Sequence, residues 1–277
     1  MPELPEVETV RRGLIPKLEG RIIQKVEVYR YDLRVPVPAD LPSRLESRRI
    51  ERIWRRAKYL LMEVEGPETV LIHLGMSGRI FLDTGLKEFR RQKHDHVIFE
   101  ISGGCRMVFN DVRRFGSIDL LPRGAPETDD RLRALGPEPL GNSFSPAVLL
   151  EALNKRCGPV KPALIDQRLV AGLGNIYVSE ALFRAGVSPR RRGRNVSRRQ
   201  ADRLVDAIRS VLGEAIEAGG SSLKDFAGTD GELGYFQHRF QVYDREGLAC
   251  SNTNCGGRVK RIVQAGRSTY FCGRCQN

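Results

Sequence analysis

Two residues near the start of the chain combine a nucleophile with an acid–base group. Pro2 stands directly before Glu3, and it becomes the amino terminus if the initiator methionine is removed. A terminal proline carries a secondary amine whose pKa of about 8 leaves much of it neutral near pH 7. Such an amine can attack an electrophilic carbon, while the neighbouring carboxylate donates or accepts a proton. The simpler interpretation is that Pro2 and Pro5 only begin a helix, because proline suits the first helical turn.

Four cysteines near the end of the chain have the spacing of a zinc site. They form two close pairs, C-x4-C and C-x2-C, separated by sixteen residues, which is typical of four-thiolate coordination. The separating segment predicts a hairpin with strands at 258–263 and 268–271 and a turn at 264–267. A tail with so few apolar residues needs such a metal staple to fold, so we expect one structural Zn²⁺. The predicted ligands are Cys250, Cys255, Cys272 and Cys275.

Two disulfides are the alternative use of these cysteines. Against it, Cys105 and Cys157 are left over, and the chain shows no signal peptide. Those two cysteines fit as ordinary small apolar residues. We therefore expect reduced thiols and a cytoplasmic protein.

Length and charge narrow the class of protein. With 277 residues the chain can hold two domains and a small zinc module, and no apolar run reaches the roughly 18 residues that would span a membrane. The net charge is +12, and it is uneven: residues 1–140 carry 25 basic and 22 acidic side chains, whereas residues 141–277 carry 21 and 12. A basic half joined to a zinc module favours a nucleic-acid partner, although ribosomal and membrane-surface proteins share this charge.

The first half of the chain predicts one helix followed by short strands. Residues 4–19 place apolar side chains on one helical face. Short apolar runs separated by glycine turns then predict an antiparallel sandwich or barrel. A segment rich in proline and glycine, 122–146, is the predicted interdomain linker. The predicted strands are 22–28, 70–74, 96–101 and 107–109.

The second half predicts helices. Ser145 begins one helix, Asn175 caps another that ends at residue 185, and Ser197 with Gln200 forms the capping box of a long third helix. Glycines before Asn175 predict a cradle of backbone N–H groups for phosphate, as in a helix–turn–helix that holds a DNA backbone. A dinucleotide-binding motif is excluded because the third glycine is missing. The arginine run at 190–194 is interpreted as a solvated surface loop.

Together these segments resemble the formamidopyrimidine-DNA glycosylases over the whole chain. Seven segments occur in the order of that family, and only the first cysteine pair departs, with C-x4-C where many members have C-x2-C. The insertion lengthens a loop and leaves thiolate ligation possible. The matching segments are 2–9, 56–60, 73–78, 93–97, 111–116, 172–177 and the cysteine hairpin.

The resemblance implies an α+β fold in three parts. A β-sandwich with a leading helix, residues 1–135, is expected to carry the catalytic end. A helix–two-turns–helix domain is expected at 145–235 and a zinc-ribbon hairpin at 236–277. The segment 221–235 aligns with a loop that covers the damaged base, and its glycines suit a mobile lid.

The resemblance also implies a repair enzyme that removes oxidised purines from double-stranded DNA and then acts as a lyase. Pro2 would be the nucleophile, Glu3 the acid–base residue and Glu6 a carboxylate near the flipped nucleotide. Phosphates around the lesion would be held by Lys58, His73, Lys161, Asn175 and Arg267. Met76, Arg113 and Phe115 would fill the gap in the duplex, although core packing is the simpler role for Met76 and Phe115.

Two other classes remain open at this point. An endonuclease VIII-type glycosylase for oxidised pyrimidines shares the terminal proline and the helix–turn motif, but the segments 73–78 and 111–116 favour the purine enzyme. A non-enzymatic zinc protein that binds DNA leaves the Pro2–Glu3 pair unexplained. A monomer with no membrane partner is expected.

Overall fold

A computed structural model describes residues 2–85, 89–124, 128–221, 228–229 and 234–276. Its contacts divide the chain into two compact units. The first joins Met1–Arg133 to Ala218–Tyr235, and the second joins Ala134–Glu217 to Phe236–Asn277. Residues 218–235, which the sequence assigned to the helical domain, therefore group with the first unit, because the chain returns there after its long helix.

The described residues of the first unit form eight strands, one leading helix and two short helices. The strands form two antiparallel four-stranded sheets, in the orders β1-β6-β7-β5 and β2-β3-β4-β8. The predicted β-sandwich with a leading helix is confirmed. The elements are α1 (Leu4–Leu18), β1 (Ile23–Val28), α2 (Leu41–Leu45), β2 (Ile50–Arg56), β3 (Tyr59–Val64), β4 (Glu68–His73), β5 (Gly78–Asp83), β6 (Asp95–Ile101), β7 (Cys105–Asp111), β8 (Ser117–Pro122) and α3 (Asp130–Arg133).

Helix α1 begins where the sequence predicts, because its first turn is capped from both sides. Glu3 and Glu6 form a reciprocal capping box, and Pro5 lies in the first turn. Val7, Val10 and Leu14 lie on the buried face and join a core cluster that draws residues from both sheets. Truncating Leu14 to alanine would cost about 2–5 kcal/mol, since the cavity could not fully collapse.

Where the second unit is described, it consists of four α-helices and a β-hairpin, with short 3₁₀ turns between them. Ser145 Oγ accepts a hydrogen bond from the Val148 N–H, and Ser197 and Gln200 exchange the two bonds of a capping box, at 3.1 and 3.3 Å. Both predicted caps are confirmed. Among the described residues, no helix is both long and apolar enough to cross a membrane. The elements are α4 (Pro146–Asn154), α5 (Val160–Ile165), α6 (Asn175–Arg184), α7 (Arg198–Glu217), β9 (Val259–Gln264) and β10 (Arg267–Cys272).

The terminal hairpin turns over two residues. Ala265 and Gly266 have positive φ angles of 46° and 72°, as a tight two-residue hairpin turn requires. Gln264 and Arg267 face each other across this turn. Arg267 therefore begins the returning strand, whereas the sequence had placed it within the turn.

Candidate nucleic-acid interface and catalytic residues

The start of α1 is fixed by one buried carboxylate. Pro2, Glu3 and Glu6 are all buried. Glu6 Oε2 accepts a hydrogen bond from the Glu3 N–H at 2.8 Å, and Oε1 accepts from Ser221 N and Oγ at 2.8 and 3.0 Å. Both oxygens of Glu6 thus accept hydrogen bonds beside Pro2. Glu6 holds Ser221, the first residue of the predicted lid, against the start of α1.

In the second turn of α1, Glu8 forms salt bridges with three arginines. Its carboxylate oxygens lie 2.7 Å from Arg11 Nη2, 3.1 Å from Arg12 Nε and 3.2 Å from Arg55 Nε on β2. Burial alone would raise the pKa of Glu8, but the hydrogen bonds and charges of the arginines outweigh it and lower the pKa from 4.5 to about 2. The group ties α1 to the sheet. Sequence reasoning missed this role, because Arg55 is 47 positions away.

Lys58 directly precedes β3, and His73 is the last residue of the neighbouring strand β4. Lys58 lies in the β2–β3 turn beside Ala57, whose φ of 53° is unusual for a residue with a side chain. Burial, together with the charges of Lys58 and Arg34, lowers the pKa of His73 from 6.5 to about 4. The Gly75 N–H donates to His73 Nδ1 at 3.0 Å. The neutral ring therefore carries its proton on Nε2, where it can donate to a phosphate oxygen.

Two neighbouring loops of the first unit present the predicted wedge residues. Met76 and Phe115 are each 38% exposed, so core packing, the simpler interpretation, is wrong for both. The guanidinium carbon of Arg113 lies 4.7 Å from the centre of the Phe115 ring. Apolar groups of this size at the tip of loops beside arginines suit insertion into a stack of bases.

A buried aspartate joins these two loops. Asp111 is fully buried; its Oδ1 accepts from Ser77 Oγ at 2.5 Å and from the Arg113 N–H at 3.2 Å. Its Oδ2 accepts from the Gly116 N–H at 2.7 Å. The carboxylate thereby sets the relative position of the Met76 and Phe115 loops. An ionisable residue at the end of an apolar strand was the available sequence signal, because a buried carboxylate needs such donors.

The wedge borders a cleft of about 560 Å³ within the first unit. Arg114, between the wedge residues, has a left-handed φ of 59° and pairs with Asp32 at 3.1 Å. Backbone strain of this kind is common at functional sites. The cleft is lined by Asp32, Leu33, Arg34, Met76, Arg113, Arg114 and Phe115.

In the second unit, Lys161 and Asn175 form one network with the hairpin. Lys161 is 1% exposed; its Nζ donates to Asn175 Oδ1 at 2.6 Å, Ser268 O at 2.8 Å and Thr269 Oγ1 at 2.8 Å. Asn175 Nδ2 also donates to Ser268 O at 3.0 Å. The sequence had placed Asn175 as the helix cap, which is wrong: Gly174 is the cap residue and Asn175 is the first residue of α6. Tertiary acceptors and donors hold its amide instead.

Another buried carboxylate anchors the segment that leads into the hairpin. Glu180 on α6 is fully buried and accepts hydrogen bonds from the backbone N–H groups of three consecutive residues, 241–243, at 2.8–3.0 Å. Burial raises the pKa of Glu180, while the three N–H donors oppose that shift. The sequence reading also missed this anchor, because its partners lie about sixty positions away.

The four terminal cysteines fit zinc. Their sulfur atoms lie within 4.8 Å of one another, and the closest pairs, Cys250–Cys275 and Cys255–Cys272, are 3.7 and 3.6 Å apart. A tetrahedral site with Zn–S bonds of about 2.3 Å separates its sulfurs by about 3.8 Å, whereas a disulfide needs about 2.05 Å. The disulfide alternative is therefore wrong. The zinc ion is structural, because four thiolates leave no open position.

The sequence-predicted site residues fall into two groups, one in each unit. Ser221 and Tyr235 of the predicted lid are described, but most of the segment between them lies outside the described residues. The first unit holds Pro2, Glu3, Glu6, Lys58, His73, Met76, Arg113 and Phe115. The second holds Lys161, Asn175, Arg267 and the zinc ligands.

Comparison with known proteins gives the same outline. Three family models match: the formamidopyrimidine-DNA glycosylase N-terminal domain at residues 1–118, its H2TH domain at 135–227, and a zinc finger found in FPG and IleRS at 250–277. A formamidopyrimidine-DNA glycosylase from Ruegeria pomeroyi is 56% identical over the full length of both chains. The structure of Lactococcus lactis Fpg (MutM) with DNA containing N7-benzyl-Fapy-dG is 35% identical, with a TM-score of 0.91 over both whole chains. A MutM complex with DNA containing carbocyclic 8-oxo-G is 36% identical, with a TM-score of 0.90 over the same coverage.

Proposed function

The chain belongs to the formamidopyrimidine-DNA glycosylase family, and from that premise we propose that it excises oxidised purines from duplex DNA and then cuts the strand as a lyase. The proposed substrates are 8-oxoguanine and formamidopyrimidines, the lesion types held in the related complexes. The observation that carries the proposal is the start of α1. Pro2 stands there beside the acid–base residue Glu3, and Glu6 fixes the backbone of both sides of the site.

Excision first requires the damaged nucleotide to leave the base stack, since its sugar carbon is out of reach within the duplex. Met76 and Phe115 would occupy the space left behind, and Arg113 would hydrogen-bond the orphaned partner base. Asp111 keeps the two loops in register, so the wedge is preorganised before DNA arrives. Less of the binding free energy is then lost in ordering these side chains.

The chemistry follows from a secondary amine. The Pro2 nitrogen bonds to C1′ of the sugar, and the bond between C1′ and the base breaks with its electron pair leaving on the base, which takes up a proton. Glu3 assists opening of the sugar ring, as O4′ accepts a proton and C1′ becomes an iminium. The iminium withdraws electrons, so a proton is lost from C2′ and the bond from C3′ to the 3′ phosphate breaks. The resulting conjugated iminium then loses a proton from C4′ as the bond from C5′ to the 5′ phosphate breaks. Water then hydrolyses the iminium and frees Pro2.

Positive and polar groups hold the phosphates around the lesion. Lys58 supplies a charge, and neutral His73 supplies its Nε2–H as a donor. In the second unit Asn175 and Arg267 are the proposed contacts. Lys161 is buried with its ammonium on three acceptors, so we assign it the positioning of Asn175 and the hairpin in place of the direct contact expected from the sequence.

The alternatives are set aside by specific findings. The matched family model is that of formamidopyrimidine-DNA glycosylases along the chain, and the related complexes contain Fapy-dG-type and 8-oxo-G DNA, which favours purine lesions over an endonuclease VIII-type activity. A DNA-binding protein without enzymatic activity does not account for membership of a glycosylase family. We propose that one copy of the chain acts on one lesion.

Borohydride trapping tests the nucleophile. Reduction of the iminium should link the wild-type protein covalently to a duplex with a single 8-oxoguanine, after Met1 has been removed. A trimmed Pro2→Gly variant should trap and cut far less. Pro5→Ala is the matched control, because it removes a proline from the same turn without changing the amine. Equal trapping by wild type and Pro2→Gly, or a retained Met1 in active protein, would refute the assignment.

Glu3→Gln separates chemistry from binding. The substitution keeps size and hydrogen-bonding shape but removes the titrating group, so DNA affinity should persist while base excision falls by about 10²-fold or more. Excision of oxidised pyrimidines in preference to purines, on a panel of duplexes with single defined lesions, would overturn the substrate class.

A further inference from the structure

The arginine run at 190–194 belongs to a longer basic segment of the second unit. Residues 181–201 contain seven arginines and neither aspartate nor glutamate. Arg190, Arg192 and Arg194 are exposed, and none has an acidic partner within ion-pair distance in the part of the chain that is described. Like charges packed this closely repel one another, which destabilises a fold. The exposed arginines of the 190–194 loop are therefore expected to serve an interaction.

Backbone hydrogen bonds hold this loop against the start of α5. The Val160 N–H donates to Arg191 O at 2.7 Å, and the Gly193 N–H donates to Gly158 O at 2.9 Å. Pro159 and Arg192 form a β-bridge between these two bonds. The next residue along the chain from Val160 is Lys161, which binds Asn175. The arginine loop and the proposed phosphate contact at Asn175 thus share one support.

The same loop contacts the end of the zinc hairpin. Gln264 Nε2 donates to the backbone oxygen of Pro189 at 3.1 Å. Pro189 directly precedes Arg190 in the sequence. Gln264 is the strand partner of Arg267, the other proposed phosphate contact. The loop is therefore held on one side by α5, which carries the Asn175 partner Lys161, and on the other side by the end of β9, where Gln264 pairs with Arg267.

The loop also has a defined shape. Arg191 Nη1 donates to Asn195 O at 3.0 Å, which closes the loop over a short 3₁₀ turn. A cleft of about 430 Å³ opens there, lined by Ser188, Arg190, Arg191, Arg192 and Asn195. A guanidinium offers paired N–H donors that match two oxygens of a phosphate. The cleft thus offers donors and positive charge to an anion, and no lining carboxylate opposes it.

We propose that the 190–194 loop is an additional phosphate-contact surface, which binds the backbone of the DNA duplex outside the contacts made by Asn175 and Arg267. Its role is independent of base sequence, because arginines on phosphates carry position and charge but no base readout. The inference rests on the proposed function, since it assumes a DNA duplex on the neighbouring residues. It adds a contact that serves undamaged and damaged duplex equally.

The test compares two double variants of equal charge. Arg190→Gln/Arg192→Gln neutralises the loop, and Arg199→Gln/Arg203→Gln neutralises two exposed arginines of α7 that also lack an ion-pair partner among the described residues. Binding to duplexes of about three helical turns, roughly 30 base pairs, is measured against salt concentration, with and without one 8-oxoguanine. A third variant, Arg190→Lys/Arg192→Lys, keeps the charge.

The loop variant should lower the slope of log affinity against log salt by about 1.8, since each phosphate contact contributes about 0.9. The lysine variant should keep nearly the wild-type slope, and the α7 variant should change it little. When excess enzyme saturates the DNA, the rate of excision should be the same in all three variants as in wild type. The loop variant should be at least as stable as wild type, because it loses only mutual repulsion.

Equal slopes for the loop and α7 variants would overturn the proposal, because they would show a general effect of net charge. An unaltered slope in the loop variant would overturn it directly. Wild-type protein that neither binds nor excises the lesion would instead refute the proposed function. The outcomes of the two hypotheses are therefore distinct.

Discussion

Replacing Glu8 by glutamine should destabilise the first unit in a way that depends on pH. Glu8 lies about one turn into α1, and its side chain is only 10% exposed between Arg11, Arg12 and Arg55. An amide has no charge to pair with the three guanidinium groups. The variant therefore leaves an excess of buried positive charge where α1 meets β2.

The lowered pKa of Glu8 sets the magnitude. In the folded chain the pKa is about 2 and in the unfolded chain about 4.5. Ionised Glu8 thus stabilises the fold fully above the unfolded pKa, and this stabilisation is lost as the pH falls toward 2. Linkage gives about 3 kcal/mol at pH 7 and about 2 kcal/mol at pH 3.5. A loss of that size is large against the roughly 5–15 kcal/mol that stabilises a typical domain.

Trp54 provides the assay, because it is the single tryptophan of the chain and lies on β2 next to Arg55. Urea unfolding followed by its fluorescence reports on the first unit, whatever the state of the zinc hairpin. Glu27→Gln is the matched control. Glu27 lies 2.7 Å from Lys25 Nζ, as close as Glu8 to Arg11, but that pair is more exposed and has one cation. Its loss should cost below about 1 kcal/mol.

Two results would refute this reasoning. One is a difference in unfolding free energy between wild type and Glu8→Gln that is the same at both pH values, since the effect would then come from packing. The other is a loss at pH 7 no larger than that of Glu27→Gln, which would mean that the arginines are satisfied by solvent.

Four further predictions concern the other groups. Asp111→Asn should lower the free energy of unfolding by about 1–3 kcal/mol, measured by urea unfolding, because a backbone N–H loses its acceptor. It should also slow excision of 8-oxoguanine in single-turnover kinetics. If neither value changes, Asp111 does not link the two loops. His73→Gln should weaken DNA binding by a factor that is constant between about pH 5.5 and pH 8, because a ring with a pKa near 4 stays neutral throughout; a factor that grows below pH 7 would contradict the neutral donor. Cys272→Ser should remove zinc and DNA binding while the Trp54 signal still shows a folded first unit, and active protein that contains no zinc on metal analysis would contradict the structural site. Arg267→Ala should lower the salt slope of binding by about one on lesion and undamaged duplex alike, with unchanged zinc content, and an unaltered slope with unaltered affinity would exclude this contact.

Features governed by neighbouring residues were predictable from the sequence. Ser197 bonds to Gln200 and Ser145 bonds to Val148, in each case three positions along the chain. The residue type and this spacing are therefore enough to predict both caps. The cysteine pairs were recognisable for the same reason. Strands β2, β3, β5 and β8 went unassigned because their burial depends on the opposite sheet, and their apolar patterns alone are ambiguous.

Features governed by distant residues were not predictable. Asn175 was taken as a helix cap because asparagine prefers that position, yet its amide is held by Lys161 and by Ser268, 14 and 93 positions away. Glu180 similarly has partners some sixty positions away. In each case tertiary hydrogen bonds decide the role of a residue whose local preference points elsewhere.

The hydrogen bonds of Lys161 link the zinc site to Asn175, a proposed phosphate contact. Zinc binding and DNA binding should therefore each favour the other. Strand β10 runs from Arg267 to the zinc ligand Cys272, a length of about 17 Å, and Lys161 joins the middle of this strand to Asn175. A bound ion that orders the strand should therefore favour the orientation in which Asn175 is proposed to bind phosphate. Because such coupling free energy is symmetric, DNA should in turn retain the ion. Zinc release to a chelator should slow when duplex is bound, so the substrate itself protects the metal on which its binding depends.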